Sequence, residues 1–569
     1  MFNKRASGVL AHPTSFPSPY GMGDMGAGAY QFVDWLAEAG QTLWQILPLG
    51  PTGFGDSPYQ SFSSFAGNPL LISPGEMVKA GWLTVSDVED VPAFDEDSVD
   101  YGPVIAYKMG LFRKAYARFK DNDGSFAQFN KQNDAWLDDF ALYTAIKAQL
   151  IASRKDEFKP YALQAYAIKM KQYLDENQAN DYYYGAAWSS WPQALAQREA
   201  EAIKKAADEL AEEIGFVKFL QYVFFQQWSA LKAYANGKDI RIIGDIPIFV
   251  ALDSADVWAQ PELYCLDGDW PTAVAGCPPD YFAETGQLWG NPLYDWDAHA
   301  KEGYAWWTRR VQAVLGMVDI VRIDHFRGFE AYWTVPAGEK TAINGTWTKG
   351  PGIALFDALK EKLGMLPNVT DRIPPVSFRL PNVTDRIPPV SFSLPIIAED
   401  LGLITEEVDK LRLDAGLPGM RVLQFAFDHA SKSNYLPHHF EDSHTVVYSG
   451  THDNDTTRGW YETASTDKES DYLRRYLNVS GDDVAWDLIR LAYASNAVFA
   501  IVPVQDVLDY GSEARMNCPG EATGWWKFRL VDGALTEAHA QRLAYLTELF
   551  HRGAAAIDPE TQVKPTLEA

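Results

Sequence analysis

The chain has 569 residues, enough for several domains or for one large barrel with insertions. Its 76 Asp and Glu outnumber its 49 Lys and Arg, and the resulting formal charge of -27 repels phosphate backbones and anionic membrane surfaces. This balance argues against nucleic acid and membranes as partners, and no apolar run reaches the roughly 18 residues of a membrane span.

Two features bear on the cellular compartment. The three cysteines, Cys265, Cys277 and Cys518, are odd in number and lack a CxxC spacing, so they predict neither a disulfide framework nor a zinc site. The N-terminal MFNKRASGVLAHP has no long apolar stretch after its basic residues, unlike a secretory signal. We therefore expect a cytoplasmic protein, or a plastid protein if a transit peptide has been removed.

Eight apolar runs of strand length recur along the chain. In order they are SGVLAHP (7–13), QTLWQILPL (41–49), IRIIGD (240–245), MVDIVRID (317–324), PIIAED (395–400), MRVLQFAF (420–427), TVVYSGTHD (445–453) and VFAIVPVQDV (498–507). Continuous Val, Ile and Leu is typical of parallel strands that are covered on both faces. Eight such strands predict an α/β fold, a (β/α)8 TIM barrel forming one catalytic unit over 1–569.

Helical patterns separate several of these runs. The patterns are AGAYQFVDWLAEAG, EGYAWWTRRVQAVLGM, GIALFDALKEKLG and ITEEVDKLRLDAG, each with a Gly at or near its end where a left-handed cap is expected. The interval 51–240 is too long for a simple crossover, and its charged helical stretches predict an inserted helical subdomain region after the second strand. We predict a second inserted region, of active-site loops, at 251–316.

Four of the apolar runs end in acidic residues. The acids are Asp245, Asp324, Glu399 with Asp400, and Asp453. The C-terminal ends of parallel barrel strands meet at one face, so we expect these carboxylates to converge on one pocket. A single acid after a strand is often a helix N-cap or turn residue, but four in corresponding places are poorly explained in that way.

Clustered carboxylates without a metal-ligand spacing favour glycosidic chemistry, in which one acid protonates the departing oxygen and another carboxylate attacks or stabilises the sugar. Metal-assisted hydrolysis is the alternative, because His325 and His452 adjoin two of the acids. Neither histidine lies in a recognised ligand spacing such as HExxH. We therefore predict no metal site.

The residues around two of these acids suggest different tasks for them. Arg322 precedes Asp324 by two positions, so both side chains are expected on the same strand face. A guanidinium there favours the ionised carboxylate that a nucleophile needs, although an ordinary ion pair explains the pairing equally well. Glu399 follows the apolar run PIIA, and partial desolvation predicts the raised pKa that a general acid requires.

Longer stretches carry a family resemblance. They are VRIDHFRGFEAYW, IIAEDLGLIT, GTHDNDTTRGWY, GDIPIFVALDSADVWA, PPDYFAETGQLWGNPLYDW and LPGMRVLQFAFD. Together they closely resemble the 4-α-glucanotransferases of glycoside hydrolase family 77, called amylomaltases or disproportionating enzymes, which are relatives of the α-amylases with the same barrel. The resemblance spans nearly the whole chain, from GDSPYQSFSSFAGNP to PVQDVLDYGSEARMN.

The resemblance implies a role for each matching residue. Asp324 would be the nucleophile, Glu399 the general acid and base, and Asp453 the carboxylate that stabilises the transition state. The implied substrate-binding residues are Arg322, Asp245, His452 and the loop aromatics Tyr59, Tyr281, Phe282 and Trp289. A loop aromatic can instead simply hold its own loop together.

The implied reaction is a retaining transfer of α-1,4-glucan segments between maltooligosaccharides or starch and glycogen chains, with glucose or maltooligosaccharides as acceptors and no cofactor. This route needs the two carboxyl groups about 5–5.5 Å apart. A glucan hydrolase on the same scaffold is the nearest alternative, and a non-catalytic glucan-binding protein is a second. The sequence indicates no particular oligomeric state.

Two segments depart from the family pattern. Residues 366–393, LPNVTDRIPPVSFRLPNVTDRIPPVSFS, are one fourteen-residue unit written twice, with Arg379 replaced by Ser393. Its prolines forbid a regular helix, and we predict a tolerated tandem duplicated loop insertion, rather than a docking segment, on the barrel face opposite the active site. The second departure, 154–188, is predicted to add a helix and a turn that pack on the protein.

Overall fold

The structure is a computed structural model that describes residues 2, 4–153, 187–279, 284–364, 394–428, 433–521 and 524–553. Three predictions therefore lie outside the described residues. They concern the aromatics Tyr281 and Phe282, the duplicated segment 366–393, and nearly all of 154–188.

Eight parallel strands form one sheet, and each overlaps one of the predicted apolar runs, although in the run 420–427 the strand ends at Val422 and Leu423–Phe427 form a 3-10 helix. We number them β1 (Ala6–Leu10), β2 (Leu43–Gln45), β3 (Arg241–Pro247), β4 (Ile320–Asp324), β5 (Ile396–Ala398), β6 (Gly419–Val422), β7 (Thr445–Tyr448) and β8 (Phe499–Pro503). The strands follow chain order around the sheet, and β1 pairs with both β2 and β8. The sheet nearly closes between β5 and β6, where the Ala398 N–H donates to the Pro418 carbonyl at 2.9 Å. The predicted barrel is confirmed.

Helices surround the barrel. The α-helices of the described residues are Ala27–Glu38, Pro74–Lys79, Tyr101–Arg118, Ser125–Gln132, Asp134–Ser153, Gln193–Ala196, Ala200–Glu209, Ala211–Asn236, Ala255–Ala259, Trp296–Lys301, Ala305–Met317, Ile353–Gly364, Glu406–Ala415, Thr457–Gly459, Asp467–Leu477, Val484–Ala494, Val504–Val507 and Glu537–Leu549. Each of the four predicted helical patterns contains one of these helices. They are Ala27–Glu38 after β1, Ala305–Met317 after β3, Ile353–Gly364 after β4 and Glu406–Ala415 after β5. None of the helices in the described part of the chain is long and apolar enough to cross a membrane.

The predicted glycine caps hold for only part of the set. Gly416 has a φ of 73° and ends the helix after β5 in the left-handed conformation that glycine favours. Gly316 lies inside its helix, so the cap prediction was wrong for this residue, whereas Gly364 is the last residue of its helix and is followed by residues outside the described ranges. At Gly316 the reason is that the helix runs on to Met317 and the chain passes directly into extended Val318 before β4.

The interval between β2 and β3 carries a succession of helices, and the last of them, Ala211–Asn236, lies on the barrel. Its Trp228 indole donates to the Met317 carbonyl at 2.8 Å, at the end of the helix that precedes β4. An antiparallel sheet contains the strands Thr346–Lys349, Ala331–Pro336, Ala273–Cys277 and Gln287–Pro292, in that order. A short ribbon pairs Leu266–Asp267 with Trp270–Pro271. The division into inserted regions at 51–240 and 251–316 stays a prediction.

Candidate active site

An arginine links two carboxylates at the C-terminal ends of β3 and β4. Asp245 lies directly opposite Arg322 in the strand register. The Arg322 guanidinium donates to Asp245 Oδ2 at 2.6 Å and to Asp324 Oδ1 at 2.8 Å, so the expected shared face of Arg322 and Asp324 is confirmed. Burial raises the pKa of Asp245, whose side chain is fully enclosed, whereas the Asp324 side chain is 29% exposed. Of these two acids, Asp324 is the one that a ligand can reach.

Glu399 follows β5 and faces the same end of the barrel. Its backbone N–H donates to the Ile323 carbonyl at 3.1 Å, which fixes the register beside β4. Its carboxyl oxygens accept backbone N–H groups from His325 at 2.7 Å and from Leu401 at 2.8 Å. Burial, and then the nearby Asp324 carboxylate, raise the pKa of Glu399 to about 8. The carboxyl is therefore both fixed in place and protonated at neutral pH.

The residue after Asp324 has an uncommon backbone conformation. His325 has a φ of 56°, in the left-handed region that non-glycine residues seldom adopt and that often marks functional sites. This conformation accompanies the bond from its N–H to Glu399. Its ring meets the Trp289 ring edge to face at 4.7 Å, and burial lowers its pKa to about 3, so the imidazole is neutral. The expectation that Trp289 lies on a loop was wrong, because it belongs to the strand Gln287–Pro292, and its ring packs on His325 beside Glu399.

Asp453 lies in the loop that follows β7 and is the most open of the acids. Asn517 donates its side-chain amide to Asp453 Oδ1 at 2.6 Å, and Arg515 donates to the Asp453 backbone carbonyl at 3.0 Å. His452 Nε2 lies 3.4 Å from Asp453 Oδ2, and the Asp453 side chain is 40% exposed. Sequence reasoning missed Arg515 and Asn517, although both belong to the stretch PVQDVLDYGSEARMN that carried the resemblance. The only sequence feature that pointed to Arg515 and Asn517 was that both are polar and follow the last strand.

Tyr59 connects the two groups of acids. Its hydroxyl donates to Asp245 Oδ2 at 2.8 Å, and its ring stacks on His452 with centroids 5.1 Å apart and planes 13° apart. Burial, and then Asp245, raise its pKa well above the ordinary value, so the hydroxyl stays a donor. The chain of contacts thus runs from the end of β3 to the loop after β7.

Asp400 shows why only one of the two adjacent acids after β5 belongs to this site. Its Oδ1 accepts the Met420 N–H at 2.6 Å, and Arg412 and Arg421 lie 3.2 and 3.3 Å from its Oδ2. These contacts enclose it beneath β6, while the preceding Glu399 faces the site.

The structure brings most of the predicted site residues into one network of contacts. Its members are Tyr59, Asp245, Trp289, Arg322, Asp324, Glu399, His452 and Asp453, and His325 joins two of them, with its N–H bound to Glu399 and its ring against Trp289. Within the described ranges, no group of three or more His, Cys, Asp or Glu is arranged to hold a metal ion.

A barrel with one arginine-paired acid and one acid of raised pKa at adjacent strand ends is typical of enzymes that cleave or transfer glycosidic bonds. The profile of glycoside hydrolase family 77, described as 4-alpha-glucanotransferase, matches residues 11–534. The chain belongs to this 4-alpha-glucanotransferase family.

Individual relatives agree with this assignment. The chain is 45% identical to a 4-alpha-glucanotransferase of Thermus thermophilus, over 96% of this chain and 99% of the relative. It is 44% identical to a 4-alpha-glucanotransferase of Synechocystis sp., over 97% and 99% of the two chains. Among solved structures it is similar to the amylomaltase from Streptococcus agalactiae in complex with acarbose, with a TM-score of 0.83 and 36% identity over 97% of this chain and all of that one.

Proposed function

We propose that this 4-alpha-glucanotransferase moves segments of α-1,4-glucan from maltooligosaccharide, starch or glycogen donors to glucose or maltooligosaccharide acceptors. The family profile and the relatives, which align over nearly their whole length, support transfer over the two alternatives, hydrolysis and non-catalytic glucan binding. The mechanism that we propose is a retaining double displacement, in which a covalent glycosyl-enzyme forms and is then opened by an acceptor sugar.

Asp324 is the proposed nucleophile. Attack by its free oxygen on the anomeric carbon breaks the glycosidic bond and forms a glycosyl ester, while the leaving chain takes a proton from Glu399. The Arg322 guanidinium holds the other oxygen at 2.8 Å and orients the carboxylate without covering it. Asp245 is enclosed and acts through Arg322 and Tyr59, to which it is hydrogen-bonded, rather than by touching sugar.

The observation that carries the proposal is the environment of Glu399. A general acid must hold its proton at the working pH and lose it to the departing oxygen, and a pKa raised to about 8 meets the first condition. After the leaving chain departs, the ionised Glu399 takes a proton from the attacking hydroxyl of the acceptor. Both halves of the reaction therefore use one residue with a perturbed pKa.

Asp453 is the proposed transition-state stabiliser. Its open carboxylate is oriented by Asn517 and flanked by His452, an arrangement that suits hydrogen bonds to hydroxyls of the sugar bound next to Asp324. Such bonds strengthen as the ring distorts and positive charge develops. The stack of Tyr59 on His452 supplies a wall for the same sugar.

Transfer prevails over hydrolysis when water is kept from the glycosyl-enzyme while an acceptor sugar binds. We propose that the segment 276–290, whose two ends belong to the strands Ala273–Cys277 and Gln287–Pro292, contributes to this exclusion. The support is Trp289, which packs on His325 next to Glu399. We further propose that the protein works in the cytoplasm, or in a plastid if a transit peptide has been removed.

The test is the product spectrum from maltotriose alone, followed over time, with Asp324→Asn as the inactive control. Transfer predicts a ladder of longer maltooligosaccharides, released glucose and a nearly constant total of reducing ends. Rising reducing ends with short products only would make the protein a hydrolase. Glucan binding without turnover in either protein would favour the binding-protein alternative.

A further inference from the structure

Trp526 is a buried tryptophan with a backbone conformation that bulky residues avoid. Its φ is 67°, in the left-handed region, and the residue is only 7% exposed. A β-carbon in this region crowds the following carbonyl, so such a conformation persists only where surrounding contacts impose it. Neither the family resemblance nor the strand pattern had singled out this residue.

The contacts that impose the conformation lie on both sides of the residue. The Trp526 N–H donates to the Met516 carbonyl at 2.8 Å, and the Trp526 carbonyl accepts the Tyr101 hydroxyl at 2.7 Å. The next residue, Lys527, accepts the Val99 N–H at 2.8 Å. One segment distant in sequence, which contains Val99 and Tyr101, and one nearby segment at Met516 therefore fix this stretch of backbone.

The indole is directed at the aromatic pair of the candidate active site. Its ring centroid lies 5.8 Å from that of Tyr59 and 5.9 Å from that of His452. These two rings stack on each other, so the three aromatics form one cluster. Aromatic contacts at such distances stabilise a defined mutual orientation.

The backbone of Trp526 reaches the second half of the same site. Met516, which accepts its N–H, lies between Arg515 and Asn517, and these two residues bind Asp453. One residue thus contacts Tyr59 and His452 through its ring and anchors the loop that holds Asp453 through its N–H.

We propose that Trp526 is a positioning residue of the transferase: its left-handed backbone fixes the indole against Tyr59 and His452 and ties the 515–517 loop to them. The indole is too enclosed to serve as a sugar platform, so it acts through its neighbours. The kinetic part of this inference rests on the proposed function. The structural part does not.

The first experiment compares Trp526→Ala with Trp486→Ala, which removes an equally buried tryptophan from the helix Val484–Ala494. Because small displacements of positioned groups cost large factors in rate, we expect kcat to fall roughly ten- to hundredfold in Trp526→Ala. The KM for maltotriose should change far less. Trp526→Phe, which keeps a ring, should recover part of kcat. Equal kcat values in the two alanine variants, measured below their melting temperatures, would overturn the proposal.

A spectroscopic readout separates positioning from general damage. In the full-length protein labelled with 13C at histidine Cε1, the His452 signal, assigned by its loss in His452→Gln, feels the ring current of Trp526. Trp526→Ala abolishes this ring current whether or not the imidazole moves, so the comparison uses Tyr101→Phe, which keeps the indole and loses only the hydrogen bond to the Trp526 carbonyl. The His452 chemical shift should move in Tyr101→Phe and stay in place in Trp486→Ala. A fall in kcat in Tyr101→Phe with the His452 signal unmoved would refute positioning. If the shift moves but wild-type protein transfers no glucan, the proposed function fails while the positioning role stands.

Thermal unfolding tests the strained backbone. Glycine adopts positive φ without a steric cost and alanine does not, so Trp526→Gly should have the higher melting temperature of the two. A lower melting temperature for the glycine variant would argue against the imposed conformation.

Discussion

The candidate active site consists of two groups of residues that are held in place in different ways. The strand-end group is Asp245, Arg322, Asp324 and Glu399. The loop group is Tyr59, His452, Asp453, Arg515, Asn517 and Trp526. Strand register and ion pairs fix the first group, whereas side-chain contacts between segments far apart in sequence fix the second.

The difference appears in exposure and in charge. Within the strand-end group, Glu399 is a buried residue and the pKa of its carboxyl is strongly raised. Within the loop group, the side chain of Asp453 is 40% exposed. Desolvation in the strand-end group thus raises the pKa of its acid, and the exposed carboxylate of the loop group can contact a sugar. We infer that bond breaking belongs to the strand-end group and sugar placement to the loop group.

The largest effect should come from Asp324, the proposed nucleophile. Asp324→Asn removes the attacking carboxylate and should lower transfer from maltotriose by about 10⁴-fold or more, because residues of this kind act as a unit with the general acid. Asp400→Asn is the matched control, since Asp400 is an enclosed acid near the same strand end that binds Arg421 and the Met420 N–H. It should lower the melting temperature and leave most of the turnover. A similar loss of transfer activity in the two variants would contradict the assignment of Asp324 as a reacting acid and Asp400 as a structural one.

The next effect concerns the proton on Glu399. Glu399→Gln should lower kcat by about 10²- to 10⁴-fold. Poor leaving groups lose the acid and good leaving groups lose the base, so both kinds of donor should be affected unless an external nucleophile that needs no base replaces the acceptor sugar. In the wild-type protein, kcat/KM should fall as the pH rises through about 8, because the acid then loses its proton. A kcat/KM that already falls as the pH rises through about 5 would contradict the raised pKa of Glu399.

The free energy of unfolding should also depend on the protonation of Glu399. The folded-state pKa of Glu399 lies above its ordinary value of 4.5, so the native state binds more protons between pH 4.5 and about 8. Its contribution to the free energy of unfolding is therefore complete below pH 4.5 and is lost as the pH rises to about 8. Glu399→Gln removes this dependence, so its melting temperature relative to wild type should be higher at pH 9 than at pH 5.

These two groups also differ in how far the sequence predicts them. Asp245, Asp324 and Glu399 each end an apolar run, and the geometry of parallel barrels brings such ends together without knowledge of any loop. The contacts of Asp453 offer no such pattern, because its partners Arg515 and Asn517 lie 62 and 64 residues away. The resemblance supplied His452 and Tyr59, but not the way they are held.

Trp526 is the clearest case of a position that the sequence conceals. A left-handed backbone is expected at Gly or Asn, and nothing in the letters EATGWWKFR indicates that a tryptophan adopts it. The conformation depends on hydrogen bonds to Met516 and Tyr101, which only the folded chain brings near. Backbone strain imposed by long-range contacts cannot be derived from local propensity.

A smaller effect should follow from loosening Asp453. Asn517→Ala removes the donor 2.6 Å from Asp453 Oδ1, and a hydrogen bond to a charged group contributes about 1.5–3 kcal/mol. We expect kcat for maltotriose to fall about tenfold, with little change in the melting temperature because the site is open. Asn517→Asp would place like charges together and should be worse than alanine. A higher kcat for Asn517→Asp than for Asn517→Ala would show that the hydrogen bond does not orient Asp453.

Tyr59→Phe tests the link between the groups. The phenyl ring keeps the stack on His452, while Asp245 Oδ2 loses one of its two side-chain donors and keeps Arg322. The free energy of unfolding should fall by about 1 kcal/mol, as for a typical buried hydrogen bond. Turnover should fall only a few-fold, because Arg322 still orients Asp324. A loss as large as that of Asp324→Asn would mean that the hydroxyl itself takes part in the reaction.

The smallest effect should come from the duplicated segment. Removal of 366–393 joins Met365 to Leu394, between the helix Ile353–Gly364 and β5 in the sequence, and β5 begins at the barrel end opposite the carboxylates. The register of β5 is set beyond the junction, where the Pro395 carbonyl accepts the Val321 N–H at 2.9 Å and Leu394 is fully buried. Transfer from maltotriose should therefore stay within about twofold of wild type, since positioning of Glu399 depends on that register. Removal of one unit, 366–379, is the control and should behave alike. A folded double-unit deletion with a large loss of transfer would show that the strand-end group depends on this segment after all.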